Sequence, residues 1–297
     1  MSARPTPAED GAAPAPVTFA EIARRKAAGE PIVMVTAYDY PSAQVAEAAG
    51  VDVVLVGDSG AMTVLGYDST VPVTVDEMLV LTKAVRRGMT VPLLVADLPF
   101  GSYEVSDEQA IRTALRFVKE AGADAVKIER GGTSVDRARA LVAAGIPVMG
   151  HVGLTPQTAA TLGGYRSQGR TADEAARVCH EAIELQDAGC FALVFEAIPS
   201  AATAAMRPSL RVPVIGIGAG PDVDGQVLVF HDLLGIYDGP AARFVKRYAH
   251  LRGEMIDAVA AYAGEVRERQ YPAAEHGYGM PDAEAERLRV LLADSGR

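Results

Sequence analysis

Tryptophan is absent from this chain of 297 residues, and the only two cysteines, Cys179 and Cys190, have no Cys-x-x-Cys spacing. A disulfide framework and a structural zinc knuckle are thereby excluded. Aromatic residues contribute 6% of the chain and hydrophobic residues 49%, so a core of Val, Ile, Leu and Ala is expected rather than an aromatic-rich all-β packing. Basic charge is outnumbered: 28 Lys and Arg stand against 38 Asp and Glu, a formal net charge of −10. That balance argues against nucleic acid or an anionic lipid surface as a partner. No uninterrupted apolar run of about 18 residues occurs, so no transmembrane helix and no membrane association is expected. Residues 1–16 are rich in Ala and Pro and have neither the basic nor the apolar region of a signal peptide. A disordered N-terminal tail and a cytoplasmic protein are the expectation.

What the chain does contain is alternation. Short Val- and Ile-rich runs are predicted as strands at Ile32–Val35, Val53–Val56, Leu93–Ala96, Ala125–Ile128, Pro147–Gly150, Ala192–Phe195, Val214–Ile217 and Val227–Phe230. Between them the spacing predicts helices at Ser42–Ala49, Val75–Gly88, Asp107–Ala121, Ser134–Ala144 and Thr171–Ala188, with a last one at Pro240–Ala263. Continuous rather than alternating apolar strands are what a parallel sheet buried on both faces requires. Gly50, Gly122, Gly145 and Gly189 each follow an Ala near a predicted helix end, where glycine supplies the left-handed stop. Eight strands within residues 17–263 match the ~250 residues of a (β/α)8 TIM barrel. One such domain is expected, with residues 264–297 as a C-terminal extension. No Gly-x-Gly-x-x-Gly follows the first strand, which removes the usual mark of a dinucleotide fold. The glycines of Gly216-Ile217-Gly218-Ala219-Gly220 fit either a phosphate loop or a place where backbones approach closely.

The strand ends are the informative places. Five successive predicted strands lead into ionisable residues: Asp58 with Ser59, Asp97, Lys127 with Glu129, His151, and Glu196. A single acidic residue after a strand is ordinarily the cap of the next helix, and a single histidine there is ordinarily a hydrogen-bonded core residue. Five in succession converge on the rim where barrel active sites are built. Lys127 and Glu129 lie two apart and therefore face the same side of their strand. Asp58, Asp97 and Glu129 offer three oxygen donors and no sulfur, a set suited to Mg²⁺, while His151 keeps zinc or manganese open. Lys127 and Ser59 suit an anionic substrate. Glu196 is left as a carboxylate base. This pattern reaches metal-assisted enolisation of a small oxo acid.

At these residues the chain resembles the ketopantoate hydroxymethyltransferase family. The resemblance covers about residues 17–250 and runs through Thr36-Ala37-Tyr38-Asp39, Val56-Gly57-Asp58-Ser59, Asp97-Leu98-Pro99-Phe100-Gly101-Ser102-Tyr103, Val126-Lys127-Ile128-Glu129 and Gly150-His151-Val152-Gly153-Leu154-Thr155-Pro156-Gln157. The resemblance implies a (β/α)8 barrel that transfers a hydroxymethyl group from 5,10-methylenetetrahydrofolate to 2-oxoisovalerate, giving ketopantoate for pantothenate synthesis. It also implies Mg²⁺ on Asp58, Asp97 and Glu129, and oxo-acid binding by Ser59 and Lys127 beside Asp58 and Asp97. Glu196 would be the catalytic base, His151 an accessory residue, and the assembly a homo-oligomer, commonly a homodecamer.

Three features depart from the family pattern: Gly60-Ala61 where Leu-Gly is usual, Leu81 where many members have His, and Arg130 after Glu129. A rival reading is a Mg-dependent enzyme like isocitrate lyase or the phosphonomutases acting on a small 2-oxo acid. Such lyases carry a catalytic cysteine in a mobile loop, whereas Cys179 and Cys190 fall within or just after a predicted helix. A non-catalytic oxo-acid sensor is disfavoured, because a sensor has no need of a carboxylate set apart from the metal ligands.

Overall fold

Eight parallel strands pair each with the next, and the last with the first, to close a barrel. The computed structural model describes residues 15–239 and 242–294. The strands are β1 (Ile32–Thr36), β2 (Val53–Val56), β3 (Leu93–Asp97), β4 (Ala125–Glu129), β5 (Val148–Gly153), β6 (Ala192–Glu196), β7 (Val214–Ile217) and β8 (Gly225–Leu228). Around and between them run α1 (Phe19–Ala28), α2 (Tyr40–Ala48), α3 (Gly60–Thr63), α4 (Val75–Gly88), α5 (Asp107–Ala121), α6 (Ser134–Ala143), α7 (Ala172–Asp187), α8 (Ser200–Met206) and α9 (Phe230–Leu234). The predicted barrel is therefore the observed fold. The tail expected over residues 1–16 lies, through residue 14, outside the described residues.

The period of two in each strand sorts side chains into two apolar layers. Val53 and Leu55 of β2 belong to the cluster inside the barrel, and Val54 and Val56 to the cluster between sheet and helices. Ala125 of β4 faces inward while Val126 and Ile128 face the helices. Lys127 and Glu129 share the parity of Ala125, so the strand itself carries them to the interior.

Helix α1 was not anticipated from the sequence. Thr18 caps it by accepting from the Glu21 N–H, and Gly29 stops it with a left-handed φ of 67°. Its one buried residue, Ile22, joins the inner cluster with Ile32, Met34 and Val53. The helix thus closes the N-terminal mouth of the barrel. The anticipated stops hold elsewhere, with φ of 74°, 72°, 84° and 101° at Gly50, Gly122, Gly145 and Gly189.

At that same mouth a repeated device ties neighbouring strands. Asp52, Asp124 and Asp224 each sit immediately before a strand, and each carboxylate accepts an N–H from the strand beside it: Val33, Leu94 and Val214 respectively. Each is also paired with a cation, Asp52 with Arg25, Asp124 with Arg86, and Asp224 with both Lys26 and Arg207. A cavity of about 270 Å³ here is lined by Lys26, Arg207 and Asp224, whose charges are already satisfied by one another.

The final predicted helix, Pro240–Ala263, requires correction. The chain from residue 242 to 250 is non-helical, and α10 spans Leu251–Arg267. The described residues up to Tyr248 form one compact unit, and those from Ala249 to Asp294 form a second that holds α10 and α11 (Asp282–Asp294). Within the second unit the Tyr271 ring meets Tyr262 and His276. Among the described residues no helix is long and apolar enough to cross a membrane.

Asp224 offers a test of the N-terminal mouth. Burial alone raises its pKa, but Lys26, the Val214 N–H and Arg207 outweigh that and hold it below the ordinary carboxylate value. A depressed native pKa contributes stability that is complete at neutral pH and is lost as pH falls through that pKa. Asp224→Asn should therefore cost about 2 kcal/mol in urea unfolding at pH 7. The difference from wild type should shrink below about pH 4.

Candidate active site

The strand ends decide what faces the other mouth. In the parallel ladder Asp97 pairs with Lys127, Glu129 with His151, and Gly153 with Glu196. Asp97, Glu129, His151 and Glu196 are thus strand residues, each one position beyond the predicted strand end. The backbone ladder, rather than a flexible loop, sets their spacing. Asp58 and Ser59 follow β2, and Ser59 Oγ lies 2.8 Å from the hydroxyl of buried Tyr38. Asp58, Ser59, Asp97, Lys127, Glu129, His151 and Glu196 all line one cavity of about 190 Å³. Every predicted site residue is therefore brought to a single place.

Their contacts form a connected charged network. Lys127 Nζ lies 2.6 Å from Asp97 Oδ1, and the Asp58 N–H donates to Asp97 Oδ2 at 3.0 Å. His151 stands between two carboxylates, with Nδ1 3.4 Å from Glu129 and Nε2 3.3 Å from Glu196. Burial and Lys127 oppose protonation of this imidazole, but the flanking glutamates outweigh them and raise its pKa to about 9. Burial likewise opposes the Lys127 ammonium, and Asp97, Glu129 and Asp58 hold its pKa above the ordinary lysine value. Asp58 is pushed well above the carboxylate range by burial first, then by Asp97 and Glu129. Asp97 is raised by burial although Lys127 pulls it down.

Counted formally, with every group ionised, four carboxylates here face one ammonium and one imidazolium, and the raised pKa values of Asp58 and Asp97 reflect their burial together with that excess. The surplus of two negative charges in a dry site is the quantity a divalent cation would neutralise. Asp97 Oδ1 and His151 Nε2 are fully buried and make no well-aligned hydrogen bond despite their short ion-pair distances. The donors are oxygen, which suits a hard ion. Among the described residues, however, no three Asp, Glu, His or Cys side chains converge as a ready-made metal cage. Asp97 is turned to Lys127, and Glu129 to His151 and the Gln157 amide.

Gln157 is the residue the strand-end reading passed over. Its backbone N–H donates to Glu129 at 2.9 Å, and its side-chain amide donates to Asp58 at 3.0 Å and to the Leu98 carbonyl at 2.9 Å. Its own carbonyl accepts from the Tyr103 hydroxyl at 2.7 Å, which in turn accepts from the Glu129 N–H. One residue therefore holds two carboxylates, Glu129 through its backbone N–H and Asp58 through its side-chain amide. The signal for it was its place in the Gly150–Gln157 block, six residues beyond His151.

Two departures from the family pattern meet in space. A Cβ at Gly60 would come within 2.7 Å of the Tyr38 ring and 3.2 Å of Leu81. Glycine at 60 therefore admits the ring that partners Ser59, with Leu81 packed alongside. The Gly216–Gly220 segment resolves as close approach: a Cβ at Gly218 would collide with the Phe244 ring, and one at Gly220 with Ser200. Neither Cys179 nor Cys190 lines the cavity, and burial pushes the Cys190 thiol up to about 12. Ala197, directly after Glu196, has a φ of 50°, a conformation that costs a non-glycine residue about 1 kcal/mol.

Gln157→Leu keeps the volume but strands Asp58, the Leu98 carbonyl and Tyr103. It should lower stability by about 2 kcal/mol in urea unfolding; a change under about 0.5 kcal/mol would show that the amide holds nothing in place.

A sequence profile of the ketopantoate hydroxymethyltransferase family matches residues 16–274. The 3-methyl-2-oxobutanoate hydroxymethyltransferase of Geobacillus kaustophilus is 52% identical over 259 residues, which are 87% of this chain and 93% of that protein. The enzyme of the same name from Moorella thermoacetica is 53% identical over 88% of this chain and 97% of its own length. In three dimensions the chain is similar to 2,3-dimethylmalate lyase, a member of the PEP mutase/isocitrate lyase superfamily. That match has a TM-score of 0.58 at 17% identity and covers 95% of this chain and 97% of the lyase. The structural likeness is one of fold, whereas the family match spans residues 16–274 and so includes the whole charged rim. The chain belongs to the ketopantoate hydroxymethyltransferase family and is one of its enzymes.

Proposed function

We propose that the cavity transfers a hydroxymethyl group from 5,10-methylenetetrahydrofolate to 2-oxoisovalerate, giving 2-dehydropantoate in pantothenate synthesis. The observation that carries this reading is the division of the rim into two parts. Asp58, Asp97, Lys127 and Glu129 form one linked group, and Glu196 stands beyond His151 as a separate carboxylate. Family membership supports this choice of substrates. Homo-oligomeric assembly and a cytoplasmic setting are part of the same proposal.

Asp58, Asp97 and Glu129 would hold Mg²⁺. When bound, the ion supplies Lewis-acid polarisation of the oxo acid's carbonyl. Lys127 presents an ammonium, and Ser59 a hydroxyl steadied by Tyr38, to the carboxylate of the oxo acid. Glu196 removes the proton at C3, and His151 fixes the orientation of that carboxylate. The C3 carbon then bonds to the methylene carbon of the folate as one of that carbon's two C–N bonds breaks, the departing nitrogen keeping the electron pair and taking up the proton removed from C3. Hydrolysis breaks the remaining bond to nitrogen, leaving the hydroxymethyl group on C3 and releasing tetrahydrofolate. Burial of the network keeps bulk water from the reacting carbon.

The step assigned to Glu196 can be isolated from the folate. Incubated with 2-oxoisovalerate and Mg²⁺ in deuterated water, the wild-type protein should exchange the C3 proton. Glu196→Gln should slow that exchange by about 100-fold or more. An unchanged rate removes Glu196 from the role of base.

A further inference from the structure

The cavity is chemically two-sided, and the site described above uses only one side. Residues from β2 to β6 supply the charged network. The sector formed by β7, β8 and the chain after them is walled by Ile217, Val227, Val229, Phe244 and Val245. Thr36, on β1, has its hydroxyl occupied by the Phe230 N–H. In this apolar wall stands one carboxylate, Asp232 of α9. It is half-buried, and no hydrogen bond to its carboxylate forms among the described residues. Burial raises its pKa, partly offset by the charge of Arg247.

An apolar wall that carries a single carboxylate suits an aromatic heterocycle with one polar edge. A reduced pterin has that shape. Its 2-amino group and N3–H are two parallel donors, spaced to meet both oxygens of one carboxylate. The Phe244 ring, seated on Gly218, offers an aromatic surface beside it. The same segment carries Arg243, Lys246 and Arg247, all exposed, and so places positive charge where an anionic glutamyl tail would emerge.

We propose that Asp232 is the pterin anchor, receiving the 2-amino and N3–H groups of the folate co-substrate, with Phe244 as the wall against its ring. This rests on the folate reading above and names the residues that would serve it. Asp232 lies outside the Asp58–Glu196 network, so the two halves of the site are separately testable.

Calorimetry with tetrahydrofolate, 6-methyltetrahydropterin and 2-oxoisovalerate as separate probes provides the test. Asp232→Asn, which keeps the shape but turns one acceptor into a donor, should weaken tetrahydrofolate and 6-methyltetrahydropterin by the same factor, about 10- to 100-fold. The dissociation constant of 2-oxoisovalerate with Mg²⁺ should stay within about twofold. A pterin lacking the 2-amino group should lose a comparable factor on the wild-type protein and little more on Asp232→Asn. Equal tetrahydrofolate affinity in wild type and variant would overturn the assignment of Asp232 and leave the folate reading standing. A wild-type protein that binds 2-oxoisovalerate but not tetrahydrofolate would overturn both.

Discussion

Excess negative charge held out of water at one mouth of the barrel is the constraint from which the rest of this site follows. Asp58, Asp97 and Glu129 are each nearly inaccessible to solvent, and Lys127 and His151 do not balance them together with Glu196. Buried like charges are tolerated only where something fixes them and something else neutralises them. The fixing groups are the ladder of β3 to β6, the Asp58 N–H on Asp97, and Gln157 bridging Asp58 to Glu129. The neutralising charge is the proposed Mg²⁺.

The two mouths show the difference between charge used for stability and charge held for chemistry. At the N-terminal mouth Asp52, Asp124 and Asp224 each accept a neighbouring strand's N–H and meet an arginine or lysine. At the C-terminal mouth Lys127 is claimed by Asp97, and Glu129 and Glu196 share one imidazole. The same residue types are satisfied in one place and left short of partners in the other. That asymmetry is why only the second mouth reads as a reaction site.

The barrel was legible in the sequence because period and composition act locally: Val-rich runs, helix caps and left-handed glycines each report on a few neighbouring residues. The rim was legible for a related reason, since a polar residue ending an apolar strand has one direction to face. Gln157 was not legible, because its partner Asp58 lies 99 positions away and is reached only after the loop following β5 folds over the mouth. Helix α1 was missed because a single residue, Ile22, is buried along its length and leaves almost no apolar period. The stretch from 242 to 250 reads as amphipathic, yet it is non-helical, and its Phe244 packs on Gly218, a contact that no local period reports. Asp232 was invisible for the opposite reason: beside His231 on a short helix it looks like an ordinary surface acid until the cavity is seen to reach it.

The claim that the charged mouth is built around a divalent cation is tested most directly by titrating Mg²⁺ into the metal-free protein and into Asp58→Asn by calorimetry. One ion should bind per barrel, with an affinity at least about tenfold weaker in the variant, because one of the three proposed oxygen-donor carboxylates has lost its charge. Absence of Mg²⁺ binding to the wild-type protein, or equal affinity in the two, would contradict it.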